Sequence, residues 1–290
     1  MDDEERKRRI RRLVFASPAL ARALLAGDYR SAFKGRGMDF DGLREYGTDD
    51  DALRMDWNAT ARLGKPYVKT WRDDRSLSVY LVVDESESMD RGDRRADTAR
   101  TAASLVAYAC SANGVRVGGL FFGGDALEHV EPDTGPRRAL ALIERVMEGR
   151  RGPGHGSRLP EALEAAASWL KRRSLVLIVS DFQAAAYAVP LALLARRHDV
   201  AMIHIRDGSD LPLVPDGWTL RAVDAESGRA RLVPGRSRVW KDAVRRASAG
   251  AKLELLSAAA AARVSVLPLG PSDDPVLALT QFFGRRGRRP

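Results

Sequence analysis

The chain has 290 residues, of which 44% are hydrophobic and 30% are charged, a balance typical of a globular protein that buries a sizeable core. No apolar run approaches the roughly 18 residues that a membrane-spanning helix needs, and the single cysteine, Cys110, excludes an intrachain disulfide and a zinc cluster. The formal net charge is +9, and the basic excess is concentrated in residues 6–12 and 285–289.

The N-terminal segment begins with acids and arginines and lacks the apolar core and cleavage site of a signal peptide, so we expect a cytoplasmic protein. Residues 5–26 are predicted to be helical, with a break at Ser17-Pro18 because proline removes a hydrogen-bond donor. Repeated glycines and dense charge over residues 27–65 predict an irregular segment. The N-terminal part is therefore expected to be a helical and loop-rich extension.

From Tyr67 onwards, apolar strands alternate with helical segments. Strands are predicted at residues 78–83, 115–122, 127–131, 175–180, 200–205 and 264–269, and helices at 95–113, 136–148, 160–172, 188–198, 237–262 and 275–283. This alternation predicts an α/β fold with a doubly wound, mostly parallel sheet of the Rossmann type. We divide the chain into an N-terminal segment, residues 1–75, and an α/β domain, residues 76–290, with a β-hairpin insertion near 218–233.

A run of oxygen-bearing side chains, Asp84-Glu85-Ser86-Glu87-Ser88, follows the first strand of this domain. Open α/β sheets bind ligands beyond the carboxyl ends of their strands. In an extended segment the side chains at i, i+2 and i+4 share a face, so Asp84, Ser86 and Ser88 can converge on one ion. A carboxylate with neutral hydroxyls favours Mg²⁺ or Mn²⁺. Glu85 and Glu87 could raise the affinity for a cation or simply face solvent, and we favour solvent.

Two later segments carry oxygen donors at the same edge of the predicted sheet. Gly156-Ser157-Arg158 opens a helix after a glycine-rich loop, and Ser180-Asp181 ends the next apolar strand. With the first loop, this arrangement resembles the von Willebrand factor A (vWA) family and its metal-ion-dependent adhesion site (MIDAS). The resemblance implies a site for Mg²⁺, or for Mn²⁺ or Ca²⁺, formed by Asp84, Ser86, Ser88, Ser157 and Asp181, with Ser157 where the family has threonine. Helix capping is the competing interpretation of each residue taken singly.

A second resemblance covers residues 33–75. The segments FKGRGMDF (33–40), LREY (43–46), RMDWN (54–58) and PYVK (66–69) look like the signature of the DUF58 proteins. This resemblance implies that the chain works with a MoxR-type AAA+ ATPase. In that partnership it would be a chaperone-like adaptor that links the ATPase to an acidic client protein during assembly, maturation or metal insertion.

The same segment is dense in charges of both signs. One interpretation, which we favour, is an ion-pair network that holds this segment on the α/β domain, with Phe40 and Trp57 as apolar anchors. The other is a docking surface for a partner. The candidate docking residues are Arg36, Arg44, Asp50, Asp51, Arg54, Asp56, Trp57 and Arg62.

Known catalytic motifs are absent from the sequence, which has no GxSxG elbow, no GxxxxGK[ST] phosphate loop and no HExxH pair. We therefore predict a non-enzymatic, metal-dependent protein-binding adaptor. Two alternatives stay open. The first is a metal-dependent hydrolase in which Glu85 or His155 acts as the base. The second is a nucleic-acid-binding protein that uses the basic ends of the chain.

Overall fold

The structure, a computed structural model, describes residues 18–24, 38–47, 55–73, 77–90, 94–149, 157–206, 219–223, 230–234 and 237–286. The chain forms two compact units: one comprises Tyr29–Ser76, and the other comprises Leu77–Pro290 together with Met1–Asp28. Met1–Asp28, which we assigned to the N-terminal segment, thus group with the larger unit. The division into domains at residue 75 stays a prediction. The packing of the N-terminal segment on the α/β domain stays a prediction.

In its described residues, the smaller unit contains two strands and a short helix. Strand β1 (Met38–Glu45) pairs antiparallel with β2 (Tyr67–Asp73), and helix α1 (Trp57–Leu63) lies between them in the chain. The prediction that residues 27–65 are irregular is therefore wrong for β1 and α1. The strand was missed because a register shift between Phe40 and Gly42 interrupts its alternation of side chains.

Helix α1 has a well-formed cap at each end. The Asp56 carboxylate accepts hydrogen bonds from the backbone N–H groups of Asn58 and Ala59, at 3.0 and 3.1 Å. At the other end, Gly64 adopts a left-handed conformation (φ 72°), and its N–H bonds to the Thr60 carbonyl. These caps explain how a helix of only 7 residues forms in a charged segment.

The larger unit is built on a sheet of six strands. In chain order these are β3 (Ser78–Asp84), β4 (Arg116–Gly123), β5 (Ala126–Asp133), β6 (Leu175–Ser180), β7 (Asp199–Ile205) and β10 (Ser265–Leu269). Their spatial order is β10-β7-β6-β3-β4-β5, and every neighbouring pair is parallel except β4 and β5. The predicted α/β fold with a mostly parallel sheet is confirmed.

Six helices of the larger unit flank this sheet within the described residues. They are α2 (Arg95–Ser111), α3 (Pro136–Glu148), α4 (Leu159–Trp169), α5 (Ala188–Arg197), α6 (Arg238–Ala261) and α7 (Pro275–Arg286). Helix α2 contacts α3 and α7, whereas α5 contacts α4 and α6, so the helices form two groups that cover the two faces of the sheet. All of the strands and helices predicted for this domain are present within a few residues of the expected positions.

Strand β3 lies at the centre of this arrangement, and all of its residues are buried. Its side chains alternate between the faces: Tyr80 and Val82 join the apolar cluster formed with α4, α5 and α6. Burial on both faces explains why the sequence of β3 is a continuous apolar run. Cys110 is buried in α2, and burial raises the pKa of its thiol to about 12.

Two further elements match the sequence predictions. Strands β8 (Thr219–Val223) and β9 (Ala230–Pro234) pair antiparallel as the predicted hairpin, and its turn lies outside the described residues. Residues 18–24 are helical, within the segment predicted to be helical. The break predicted at Ser17-Pro18 stays a prediction, because Ser17 lies outside the described residues. In the described part of the chain, no helix has both the length and the apolarity needed to cross a membrane.

Candidate metal centre

The candidate centre lies where the order of the strands reverses. From β3 the chain crosses to β4 on one side, and it later returns to β6 on the other side. A switch point of this kind opens a crevice at the carboxyl ends of the strands. Asp84 ends β3 and Ser180 ends β6, and the two lie side by side because Val83 pairs in register with Val179.

The Asp84 carboxylate is buried, and hydrogen bonds hold both of its oxygens. Its Oδ1 accepts a hydrogen bond from the backbone N–H of Ser86 at 2.9 Å, and its Oδ2 accepts one from the Ser180 hydroxyl at 2.6 Å. The half-buried Ser157 hydroxyl lies 3.4 Å from the same Oδ2. The structure therefore brings Ser157 to Asp84, although 73 positions separate them in the chain.

The two serines of the first loop lie together beside this carboxylate. The hydroxyl oxygens of Ser86 and Ser88 are 3.1 Å apart, and both side chains are buried. The loop is not extended as predicted, since Glu87–Asp90 form a turn of 3-10 helix. The hydroxyls converge nevertheless, because this turn brings Ser88 back toward Ser86.

Asp181 supplies the second buried carboxylate of the centre. Its Oδ1 accepts a hydrogen bond from the backbone N–H of Gln183 at 3.2 Å, and the Ser88 hydroxyl also bonds to the carboxylate. Its Oδ2 lies 3.5 Å from Nη1 of Arg95, the first residue of α2. Only 5% of the Arg95 side chain and 2% of that of Asp181 are exposed, so this ion pair is shielded from water.

The two carboxylates carry an electrostatic cost. Burial raises the pKa of Asp84 to about 7, with repulsion from Asp181 adding to the effect and hydrogen bonds from Ser180 and Ser86 opposing it. Burial also raises the pKa of Asp181, and Ser88, Gln183 and Arg95 oppose that shift. Both side chains would therefore gain from a nearby positive charge beyond that of Arg95.

The donor set fits a hard divalent cation. Two carboxylates and three hydroxyls supply oxygen atoms only, which suits Mg²⁺ and Mn²⁺ better than softer metals. Within the described residues, no group of three or more His, Cys, Asp or Glu side chains could hold a metal. If this centre holds an ion, the serine hydroxyls must therefore contribute to the ligands. The residues that would hold the ion are Asp84, Ser86, Ser88, Ser157 and Asp181.

Glu85 lies in the same loop, but its side chain is not in solvent. Only 6% of the side chain is exposed, so the prediction that Glu85 faces solvent is wrong. Both of its oxygens accept hydrogen bonds from the Arg145 guanidinium, at 2.9 Å each. Burial raises the pKa of Glu85, and these bonds oppose the shift.

Three residues of the site were missed in the sequence: Ser180, Arg95 and Arg145. Ser180 directly precedes Asp181 at the end of a strand, and its place in the register opposite Asp84 could have identified it. Arg95 and Arg145 lie on helices α2 and α3, and no motif marks them. Their roles follow from how these helices pack against the strands.

The residues predicted for docking lie in the smaller unit. Arg36, Asp50, Asp51 and Arg54 are outside the described residues. Arg44 and Arg62 are exposed, and Asp56 caps α1. Trp57 is 70% exposed, and the side chain of Phe40 lies outside the described residues. Their roles as apolar anchors stay predictions. The role of this set in docking stays a prediction.

The fold and the centre together define an α/β protein with a buried cluster of carboxylates and hydroxyls at the switch point of its sheet. The chain belongs to the family described as "Protein of unknown function DUF58", which matches residues 42–253. Relatives include uncharacterized proteins of Mycobacterium tuberculosis and Mycobacterium bovis, each 32% identical over 236 residues that cover 80% of this chain and 74% of the relative.

Solved structures with distant similarity to the chain include two of different kinds. An aerotolerance-related membrane protein from Bacteroides fragilis has a TM-score of 0.45 and 13% identity, over 72% of this chain and 100% of that one. The manganese-loaded TRAP protein of Plasmodium vivax has a TM-score of 0.33 and 16% identity, over 44% of this chain and 56% of that one. Similarity at this level carries no conclusion about function.

Proposed function

We propose that this protein is a non-enzymatic adaptor that binds a partner through a divalent metal ion, in the manner of a MIDAS in a vWA-type domain. One observation carries the proposal: Asp84 and Asp181, which lie far apart in the sequence, are buried at one point together with serine hydroxyls. Helix capping alone does not require two buried carboxylates that repel each other.

The residues of the centre would supply two kinds of ligand to the ion. Asp84 and Asp181 supply the negative charge, and the hydroxyls of Ser86, Ser88 and Ser157 supply neutral oxygens. A bound Mg²⁺ would accept a carboxylate oxygen from a partner in exchange for a water. The two carboxylates formally balance the charge of the ion, and Arg95 adds one positive charge beside them, so such a site favours an acidic partner.

The surroundings of the centre favour the same kind of partner. Arg94 precedes the site residue Arg95 and is exposed, and Arg158 follows Ser157 at the start of α4. Positive charge beside a metal site steers acidic groups toward it. We infer that the client is an acidic protein in the cytoplasm, and that a MoxR-type AAA+ ATPase is the motor to which the adaptor links it.

Two observations argue against the hydrolase alternative and the nucleic-acid alternative. Glu85, a candidate base, has both carboxylate oxygens bonded to Arg145 and is not free to activate a water. His155 lies outside the described residues. At the basic C-terminal end, Arg286 is paired with Asp199, which gives this arginine a structural role.

The proposal predicts metal-dependent capture of the partners. In a pull-down with a MoxR-type ATPase from the same organism and with the client, EDTA should abolish binding and excess Mg²⁺ should restore it. Asp84→Ala and Asp181→Ala should remove binding at every Mg²⁺ concentration. Asp133→Ala is the matched control, because Asp133 is an exposed residue at the far end of β5.

Binding that is indifferent to EDTA and to both site variants would refute the metal-bridged adaptor. The same preparations should be screened for phosphatase and nuclease activity with Mg²⁺ and Mn²⁺. Turnover by the wild type that Asp84→Ala loses would favour the hydrolase instead. Affinity for nucleic acid that falls steeply with salt and is lost on removal of the basic ends would favour the third candidate.

Arg95 is predicted to weaken the binding of the metal. Its guanidinium occupies one side of Asp181 and adds a positive charge beside the centre. Replacement by glutamine should therefore raise the affinity for Mg²⁺ about tenfold or more, measured by isothermal titration calorimetry. The metal-free variant should also lose roughly 3–5 kcal/mol in its free energy of unfolding, because Asp181 is left buried without its cation.

Arg116→Gln provides the control for Arg95→Gln. Arg116 begins β4 at the opposite edge of the sheet and bonds to the Pro132 carbonyl at 2.8 Å. It is too far from the centre to change the affinity for Mg²⁺, although its loss should lower stability. An unchanged or weaker affinity in Arg95→Gln would show that Arg95 does not compete with the metal.

A further inference from the structure

The loop that carries the first metal ligands is held by a residue outside the centre. Glu85 lies between the ligands Asp84 and Ser86, and Arg145 on α3 bonds to both of its carboxylate oxygens at 2.9 Å. Exposed fractions of 9% for the Arg145 side chain and 6% for that of Glu85 show that this pair is excluded from water. Arg145 is far from the loop in the sequence, since 60 positions separate it from Glu85.

Arg145 is itself fixed by its neighbours. Its Nε donates to Glu128 of β5 at 2.7 Å, and its guanidinium carbon lies 4.2 Å from the centre of the Phe121 ring on β4. The guanidinium thus uses three of its donor positions on two carboxylates and stacks on an aromatic face. Such a group has little freedom to move, so it can hold Glu85 in one position.

The backbone of Glu85 is confined from the side of β4. Its N–H donates to the Phe122 carbonyl at 2.7 Å. Gly123 approaches so closely that a Cβ atom at that position would lie 2.5 Å from the Glu85 carbonyl carbon. The backbone contacts with Phe122 and Gly123 fix the distance between the loop and strand β4. The hydrogen bonds from Arg145 hold the Glu85 side chain in one orientation.

We propose that Arg145 is a positioning residue that sets the affinity of the metal centre by clamping Glu85. The inference rests on the proposed function, because it assumes that Asp84, Ser86 and Ser88 bind a divalent ion. If Arg145 is displaced, Glu85 can turn, and the two ligands beside it lose their alignment. Movement of helix α3 would then be transmitted to the metal, and through it to the bound partner.

The direction of the effect distinguishes positioning from plain electrostatics. Removing a positive charge near a metal ion strengthens the binding of the ion if charge alone matters. Arg145→Lys keeps the charge and loses the paired hydrogen bonds, so electrostatics predicts no change. The clamp instead predicts that Arg145→Lys and Arg145→Gln both weaken Mg²⁺ binding about tenfold or more.

The experiment measures Mg²⁺ affinity by isothermal titration calorimetry for the wild type, Arg145→Lys, Arg145→Gln, Glu85→Gln and the double variant Glu85→Gln/Arg145→Lys. Once Glu85→Gln has weakened the clamp, the Arg145 substitution should change affinity by less than about threefold. Leu142→Ala is the matched control: Leu142 is buried on the same helix, so its truncation lowers stability without touching Glu85. All titrations are made well below the melting temperature.

A second measurement reports the mobility of the metal-free loop by hydrogen exchange. The backbone N–H of Ser86 donates to Asp84, and Arg145→Lys should raise its hydrogen-exchange rate about tenfold or more in EDTA, relative to Leu142→Ala. Equal affinities and equal exchange rates in Arg145→Lys and wild type would overturn the clamp and leave the metal site intact. Failure of the wild type to bind Mg²⁺ would overturn the metal site and this inference together.

Discussion

Replacing Asp84 by asparagine is expected to abolish Mg²⁺ binding and, at the same time, to stabilise the metal-free protein above pH 7. Asparagine keeps the shape of the side chain, and its amide oxygen can still accept the hydrogen bond from the Ser86 N–H. Toward Ser180 the amide nitrogen donates to the hydroxyl oxygen, whereas the carboxylate accepts from it. Asparagine removes a buried negative charge that Asp181 repels. The same substitution would thus remove metal binding and stabilise the metal-free protein.

The sign follows from the pKa of Asp84, which rises from 3.8 to about 7 on folding. Between these values the native state holds a proton that the unfolded state has released, so the free energy of unfolding falls as pH rises toward 7. Above that pH the whole penalty of the buried, unprotonated carboxylate is present. The asparagine side chain carries no such penalty, so the Asp84→Asn protein exceeds the wild type in stability by an amount that grows from about pH 4 to about pH 7.

Urea unfolding in EDTA at pH 5 and pH 8 measures this difference. Burial lowers the pKa of His198 and of His204 to about 4, which gives stability a pH dependence of its own, but this contribution is the same in both proteins and cancels in the comparison. Adding Mg²⁺ should stabilise the wild type and leave Asp84→Asn unchanged. A metal-free Asp84→Asn protein that is less stable than the wild type at pH 8 would contradict the electrostatic account.

Substituting alanine for Gly123 is expected to damage both the fold and the metal centre. The added Cβ would lie 2.5 Å from the Glu85 carbonyl carbon and 2.8 Å from the Ser86 nitrogen, and both of these are backbone atoms that cannot rotate away. The metal loop must therefore shift. We expect a loss of about 1–3 kcal/mol in the free energy of unfolding, and Mg²⁺ binding weaker by about tenfold or more.

Gly118→Ala separates these two effects, because Gly118 lies on the same strand. Its Cβ would meet the Val130 carbonyl oxygen and the Pro132 nitrogen at 2.5 Å, which are backbone atoms of β5 far from the loop. Urea unfolding should show a comparable loss of stability in the two variants, whereas calorimetry should show weaker Mg²⁺ binding only in Gly123→Ala. Equal losses of affinity would mean that general loosening of β4 is the cause.

The local pattern of the sequence predicted much of the candidate centre. Asp84 and Asp181 directly follow apolar runs, and the carboxyl ends of parallel strands meet at one edge. Ser157 was placed through the family resemblance and lies within reach of the same carboxylate. These residues could be found because their positions depend on the strands, which a periodic apolar pattern identifies.

Other parts of the centre could not be predicted, because they depend on how distant elements pack. Glu85 was expected in solvent, since an acidic residue in a loop is usually exposed. It is buried because Arg145 reaches it from α3, and the position of α3 depends on its packing against α2 and β4. The same holds for Arg95, which meets Asp181 only when α2 lies across the ends of the strands.

The sequence by itself determined the α/β class, the order of its strands and helices, and the loops that carry the oxygen donors, because hydrophobic periodicity and short motifs are local properties of the chain. Only the tertiary structure decided which carboxylates are buried and which arginine side chains pair with them. Arg145 pairs with Glu85 from 60 positions away in the chain, and Arg95 pairs with Asp181 from 86 positions away. No local pattern records such contacts, since they follow from the packing of helices against the sheet.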